Sequence, residues 1–232
     1  MPFFYYYDWT YWAVLLPAIL IALFAQIKVS STFNRYSKVS SSRGYTGAQA
    51  AEAVLKAHGV AGVRIERVSG HLSDHYDPRS NVIRLSDGVY GSTSVAAMGV
   101  AAHEAGHAVQ YAEGYGPIKL RSAIIPVCNV GSQLSFVLII IGLLLYSQAL
   151  LGIGILLFSL AVVAQLVTLP VEFNASRRAI ETLERGYLLE GDELQGAKKV
   201  LGAAAMTYVA ALLVSLAHLL RYLIAFSGRR RN

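Results

Sequence analysis

A single cysteine, Cys128, in a chain of 232 residues forbids an internal disulfide and any zinc module built from cysteines. A metal bound here has to be held by histidine and carboxylate. Charge is scarce too: Asp, Glu, Lys and Arg make up 15% of the chain, where an ordinary globular protein carries about 25%. Hydrophobic residues reach 55% and the mean hydropathy is +0.47, so the deficit reads as membrane segments rather than an enlarged soluble core. Disordered and collagen-like chains are excluded on the same grounds, and no internal repeat or low-complexity tract is present. The formal charge of +6 matters less than where the charges fall.

Three long intervals lack Asp, Glu, Lys and Arg altogether. The first, residues 9–27, is 19 residues long, close to the roughly 20 that a helix needs to cross a bilayer core. Tyr5, Tyr6, Tyr7, Trp9, Tyr11 and Trp12 crowd its start, as amphipathic rings do at the headgroups. The stretch before it holds Asp8 and no Lys or Arg, so it reads as a retained anchor rather than a cleaved signal peptide. The second interval, between Arg121 and Glu172, is 50 residues long. As helix it would extend roughly 75 Å, too long for one crossing and too short for three with turns. Two spans near 124–146 and 150–170 are therefore expected, with a turn near Ser147, Gln148 and Gly152. A hairpin returns the chain to the face it left, so Arg121 and Glu172 should emerge together. The third interval, 200–220, has 21 residues rich in the small side chains that suit close helix packing in a membrane.

The polar part lies between the first span and the hairpin. Residues 30–47 read as a linker along the membrane surface. Thr46 reads as the cap of a helix over 48–58 that stops at Gly59. Residues 60–68 and 81–86 read as strands, separated by a turn-rich stretch at 71–80 and closed by Asp87-Gly88.

The chemistry is concentrated in the next segment, a helical run over 94–112 with Ser94 as its N-cap. It contains His103-Glu104-Ala105-Gly106-His107, the H-E-x-x-H pattern. A spacing of four sets both imidazoles on one helical face, where they can reach a single Zn²⁺, and Glu104 can lean over the metal-bound water as general base. Gly106 leaves room for another segment to approach. Catalytic zinc takes three protein ligands and keeps a position for water, so a further donor is required. Glu172, the first charge after the hairpin, surfaces where this helix does and is the preferred candidate. His58, His71 and His75 compete, His75 most strongly because it sits in the polar turn Asp74-His75-Tyr76-Asp77.

The chain resembles zinc membrane metallopeptidases of the YugP type, the neutral zinc metallopeptidase family, themselves similar in plan to HtpX-like membrane proteases. The resemblance covers most of the chain: Asp74-His75-Tyr76-Asp77-Pro78, Leu85-Ser86, Val100 through Ala108, the hairpin, Glu172-Phe173-Asn174-Ala175-Ser176 and Thr207 through Ala211. It implies His103, His107 and Glu172 as zinc ligands and Glu104 as the catalytic acid/base. The chain departs from HtpX-like proteins at Ser176, where those have an Asp able to orient a ligand histidine. Related zinc peptidases also lead us to expect residues 81–86 as an edge strand beside the cleft.

The sequence thus leads to a mainly α, multi-pass membrane protein with a small α+β zincin-like domain at the membrane surface. The expected parts are an anchor (1–28), a zinc-peptidase domain (29–122), a transmembrane hairpin (123–170), a third-ligand helix and surface segment (171–199), and a last transmembrane helix with a basic tail (200–232). The expected activity is zinc-dependent endopeptidase action, with one Zn²⁺ per chain, on membrane or membrane-associated polypeptides. Partners are the lipid bilayer and polypeptide substrates, not nucleic acid. The second oxyanion donor stays open among His75, Tyr76, Arg177, Tyr208 and Arg221. Other classes weighed are a site-2-type intramembrane protease, which needs a later Asp that the hairpin lacks, and a non-catalytic metal-binding scaffold. Eleven Lys and Arg between Lys28 and Arg121 put the zinc domain on the cytoplasmic side by the positive-inside rule. Arg221, Arg229, Arg230 and Arg231 oppose a full last crossing, so residues 200–220 either cross or dip back, which would bring Arg221 to the active site.

Overall fold

The computed structural model describes residues 10–70 and 73–229. The aromatic residues Tyr5, Tyr6, Tyr7 and Trp9, and also His71, Arg230 and Arg231, lie outside the described residues. Among the described residues the chain is mostly helical, with one three-stranded sheet. It divides into two compact units, one of residues 27–119 and 170–206 and one of residues 10–26, 120–169 and 207–229.

In the first unit, helix α2 (Gly47–Ala57) begins as its sequence requires. Thr46 Oγ1 accepts from the Gln49 N–H at 3.2 Å and Gln49 Oε1 accepts from the Thr46 N–H at 2.9 Å, a reciprocal capping box. Strands β1 (Arg64–Val68), β2 (His75–Asp77) and β3 (Val82–Ser86) follow in sheet order β1-β3-β2. β3 pairs in parallel with β1 and antiparallel with β2. The expectation for residues 81–86 is thereby corrected: this strand is central, and the edge beside it is β2. Four of its five residues are buried, the signature of a strand covered on both faces. The sequence hides β2 because three residues in a stretch of Ser, Asp and Pro carry too short a pattern to separate from a turn.

Other boundaries also move. Asp87-Gly88 does not close the strand in a turn but opens a short helix, α3 (Asp87–Tyr90). The first part of the supposed linker at 30–47, up to Tyr36, is helix, since α1 (Leu16–Tyr36) runs on from a π turn at Tyr11–Leu15 well past the apolar stretch. The rest of that linker crosses the start of the next helix, with the Val95 N–H donating to Val39 O at 2.8 Å and the Ser41 N–H to Thr93 O at 2.8 Å. That helix is α4 (Val95–Ala112), capped by Ser94 Oγ, which accepts from the Ala97 N–H at 3.2 Å. Its Ala- and Gly-rich surface lets neighbours close in on most sides, so 13 of its 18 residues are buried. Val54, Ile83, Leu85, Met98, Val109, Leu183 and Leu189 form much of the core around it.

The second unit draws on α1, α5 (Gly116–Leu144), α6 (Gln148–Arg185) and α7 (Gly191–Arg229). Among the described residues, these four helices are long and apolar enough to cross a membrane; α4 is not one of them. The expected hairpin is present, its turn at residues 145–147 with Tyr146 in the left-handed region at φ 51°. Helix α7 continues without a break from Gly191 to Arg229.

Candidate metal centre

Helices α4 and α6 approach each other through Gly106. A Cβ at that position would lie 2.7 Å from Ala175 O and 3.2 Å from Ala175 Cα, backbone that cannot swing aside. The close approach expected of Gly106 is met, and α6 supplies the partner. Its consequence is that Glu172, on α6, faces the two histidines of α4. Glu172 Oε2 lies 3.3 Å from His103 Nε2 and 3.5 Å from His107 Nε2. The imidazole centroids are 4.7 Å apart with planes 82° to one another. Among the described residues, His103, His107 and Glu172 form the one group of three able to present ligand atoms to a common metal.

The donor set fits zinc in number, type and spacing. A tetrahedral ion with bonds of about 2.0 to 2.1 Å separates its ligand atoms by about 3.3 to 3.4 Å. The spacings from Glu172 Oε2 to the two nitrogens fall near that edge length, and three protein ligands are the number that catalytic zinc takes when it keeps a fourth position for water or substrate. The three side chains are almost wholly shielded from solvent, which strengthens charge interactions between them.

Each histidine is also held from behind, so that Nε2 rather than Nδ1 faces the centre. His103 Nδ1 lies 3.0 Å from Ser176 Oγ, so the serine at this departure from the HtpX-like pattern occupies the orienting position with a hydroxyl. His107 Nδ1 lies 3.0 Å from Gln110 Oε1. Gln110, fully buried, donates through Nε2 to Val171 O at 2.8 Å and to Asn174 Oδ1 at 2.9 Å. Both partners sit on α6 beside Glu172. Gln110 does not stand out in the sequence, and Asn174 does so only as part of the run Glu172 to Ser176 that carries the family resemblance. The available signal was that Gln110 is three residues beyond His107, on the same helical face, where a polar side chain needs a reason to be buried.

Glu104 is placed by the edge strand. Its Oε2 accepts from the Tyr76 N–H of β2 at 3.0 Å, and burial pushes its carboxyl above the ordinary carboxylate value against the pull of His103 and His107. Just before β2, Asp74 is pinned to the end of β3, accepting from the Ser86 N–H at 2.7 Å and the Ser86 hydroxyl at 3.0 Å. At its end, Asp77 accepts from the Ser80 hydroxyl and the Arg79 N–H and pairs with Arg84, and these bonds hold its carboxyl below the usual range. A three-residue strand thus has a fixed position because both its ends are tied by aspartates.

The rival histidines go elsewhere. His58 Nδ1 lies 3.0 Å from Val54 O at the end of α2, and the exposed His75 has its Nδ1 2.8 Å from Ser73 O. Of the oxyanion candidates, Tyr76 donates its hydroxyl to Asn81 Oδ1 at 2.8 Å, and burial keeps that phenol protonated by raising its pKa. Arg177 is exposed. Arg221 stacks over Tyr11 with its guanidinium carbon 5.4 Å from the ring centroid.

The model of a family described as "Putative neutral zinc metallopeptidase" matches residues 11–227. Among curated proteins, the chain is similar to "Putative membrane protease YugP" of Bacillus subtilis (strain 168). The identity is 49% over 216 residues, spanning 93% of this chain and 96% of that one. No solved structure matches.

Proposed function

The chain belongs to the neutral zinc metallopeptidase family, and on that premise we propose that it is a membrane-embedded zinc endopeptidase whose ion is held by His103, His107 and Glu172. The observation that carries the reading is the convergence of two Nε2 atoms and one Oε2 at zinc spacing. Zinc held there supplies Lewis-acid activation of a water molecule and of the scissile carbonyl. Glu104 takes the proton from that water and passes it to the departing amine. Burial raises its pKa against the pull of His103 and His107, which makes the ionised carboxylate a stronger base for that proton. The Tyr76 N–H fixes one carboxylate oxygen, which leaves Oε1 as the atom for proton transfer. The reading makes the protein a gluzincin-like H-E-x-x-H enzyme.

Substrates are polypeptides in or beside the bilayer. Residues 11–26, 120–144, 148–169 and 207–227 cross it, supported by the length and apolar character of the four helices. The segments joining them at residues 27–119 and 170–206 lie on the cytoplasmic side by their Lys and Arg. The full last crossing is supported by the unbroken course of α7, since a helix that dipped back would need a turn in which to reverse. From Lys199 to Arg221 that helix extends roughly 33 Å, so Arg221 takes no part in catalysis. Cysteine labelling in a Cys128→Ser background tests the topology: positions 75 and 229 should react from opposite sides, and reaction from one side contradicts it.

The direct test of activity is cleavage of an unfolded polypeptide by the purified protein in detergent. Hydrolysis should require zinc, and Glu104→Gln should lower it about 10²- to 10⁴-fold while keeping the metal. Cleavage by Glu104→Gln at the wild-type rate would remove the proposed base.

A further inference from the structure

The hydrogen bonds behind His107 have only one consistent direction. The Val171 carbonyl can only accept, so the Gln110 atom 2.8 Å from it is the amide nitrogen. Independently, the Arg178 guanidinium can only donate, so the Asn174 atom 2.7 Å from Arg178 Nε is Oδ1. That oxygen, 2.9 Å from Gln110, again requires the amide nitrogen to face it. Turning Gln110 over would set its oxygen against two acceptors in a fully buried position, each at the penalty of an unsatisfied buried group. Its Oε1 is therefore committed to His107 Nδ1 at 3.0 Å and offers only lone pairs there. Nδ1 must bring the proton.

We infer that Gln110 is a positioning residue that locks His107 in the Nδ1–H tautomer and so directs the bare Nε2 toward the metal position, an inference that rests on the zinc reading above. The lock is anchored away from the metal. Arg178 pairs with Glu113 Oε2 at 2.7 Å and lies over the Tyr115 ring at 5.9 Å, which holds the donor that fixes Asn174. Val171, the second anchor, directly precedes Glu172, so the backbone that carries one ligand sets the tautomer of another. His103 differs. Its neighbour Ser176 carries a hydroxyl that can give or take a hydrogen bond, so nothing in that contact dictates its proton. Of the two imidazoles, one is prepared for the metal before it arrives and the other adjusts when it binds.

The test reads the tautomer directly, by nitrogen NMR of the full chain labelled at histidine, in detergent, stripped of metal and at a pH where imidazoles are neutral. His107, assigned by the signals lost in His107→Asn, should carry its proton on Nδ1. In Gln110→Met, which keeps length but cannot accept, the His107 signals should move toward the Nε2–H form while those of His103 stay in place. Zinc affinity, measured by chelator competition, should fall about 10- to 100-fold. Asn174→Asp preserves the acceptor toward both Gln110 and Arg178 and should leave the His107 tautomer unchanged. A wild-type His107 with its proton on Nε2 overturns the inference whatever the variants do, as does a Gln110→Met protein with unaltered tautomer and zinc affinity. Wild type that binds no zinc, or His107→Ala that binds it as tightly, would instead sink the zinc reading and this role with it, leaving the metal-free spectrum to report the tautomer alone.

Discussion

In the unit of residues 27–119 and 170–206, several polar side chains reach across the fold to fixed partners, beside hydroxyls such as Ser31 and Ser37 that turn back on α1; in the unit of residues 10–26, 120–169 and 207–229, four hydroxyls turn back on their own helices. Gln110 bonds to Val171 and Asn174, Asp74 to Ser86, and Ser42 N–H donates to Glu193 Oε1, each pairing separate elements. Ser132, Ser159, Thr168 and Ser227 instead donate to carbonyls three or four residues earlier. The apolar residues differ in the same way. Leu183 and Met98 are sealed in the first unit, while Val130 and Leu156 of the second present 68% and 69% of their surface outward. The first unit takes its precision from particular pairs, and on the proposed reading a change there alters the spacing of His103, His107 and Glu172. The second needs only an apolar outer surface and a few close contacts, which suits a lipid surround where apolar side chains are interchangeable.

That comparison can be broken by substitution. The largest expected effect on stability is Leu183→Ala, which empties a fully buried site in the first unit and should cost about 2 to 5 kcal/mol, read as a fall in thermal midpoint in detergent. Gly106→Ala comes next. Its methyl meets the Ala175 backbone, so α4 and α6 must separate, at about 1 to 3 kcal/mol. Zinc affinity should fall with it because Glu172 moves with α6, and an unchanged affinity would mean that the helix contact does not set the ligand spacing. In the second unit, the methyl of Gly154→Ala would meet Ile139 Cγ1 at 2.7 Å and its backbone nitrogen at 3.1 Å. It should cost about 1 kcal/mol and leave zinc binding untouched, whereas loss of zinc there would erase the distinction between the units. The smallest effect is expected of Phe24→Ala, whose ring is 58% exposed, with a change within about 0.5 kcal/mol. A cost near that of Leu183→Ala would show that this face is packed against something in the native assembly.

Features that depend on neighbours along the chain were legible in the sequence, and those that depend on distant pairing were not. The caps at Thr46 and Ser94, the H-E-x-x-H helix and the turn near Ser147 are local, and each stands where its residues indicate. Glu172 was reached from further away, because a charge-free interval of fixed length constrains where the chain re-emerges. The order β1-β3-β2 was out of reach. Strand pairing is decided by contacts between segments, and β2 is held by Asp74 and Asp77 rather than by its own pattern. Gln110 escaped for a related reason. Its role is created by Val171 and Asn174, more than 60 residues away, and its identity on α4 says only that it is polar. Ser176 departs from the HtpX-like pattern, yet its hydroxyl reaches His103 all the same.

The central claim is that two histidines of one helix and a carboxylate from another hold a single zinc. Its most direct test is the zinc content of the purified full-length protein beside that of Glu172→Ala, His103→Ala and His107→Ala, each checked for a retained helical spectrum. The account predicts about one zinc per chain in the wild type and loss of the metal in all three variants. Full zinc occupancy in a folded Glu172→Ala protein would contradict it and move the third ligand elsewhere in the chain.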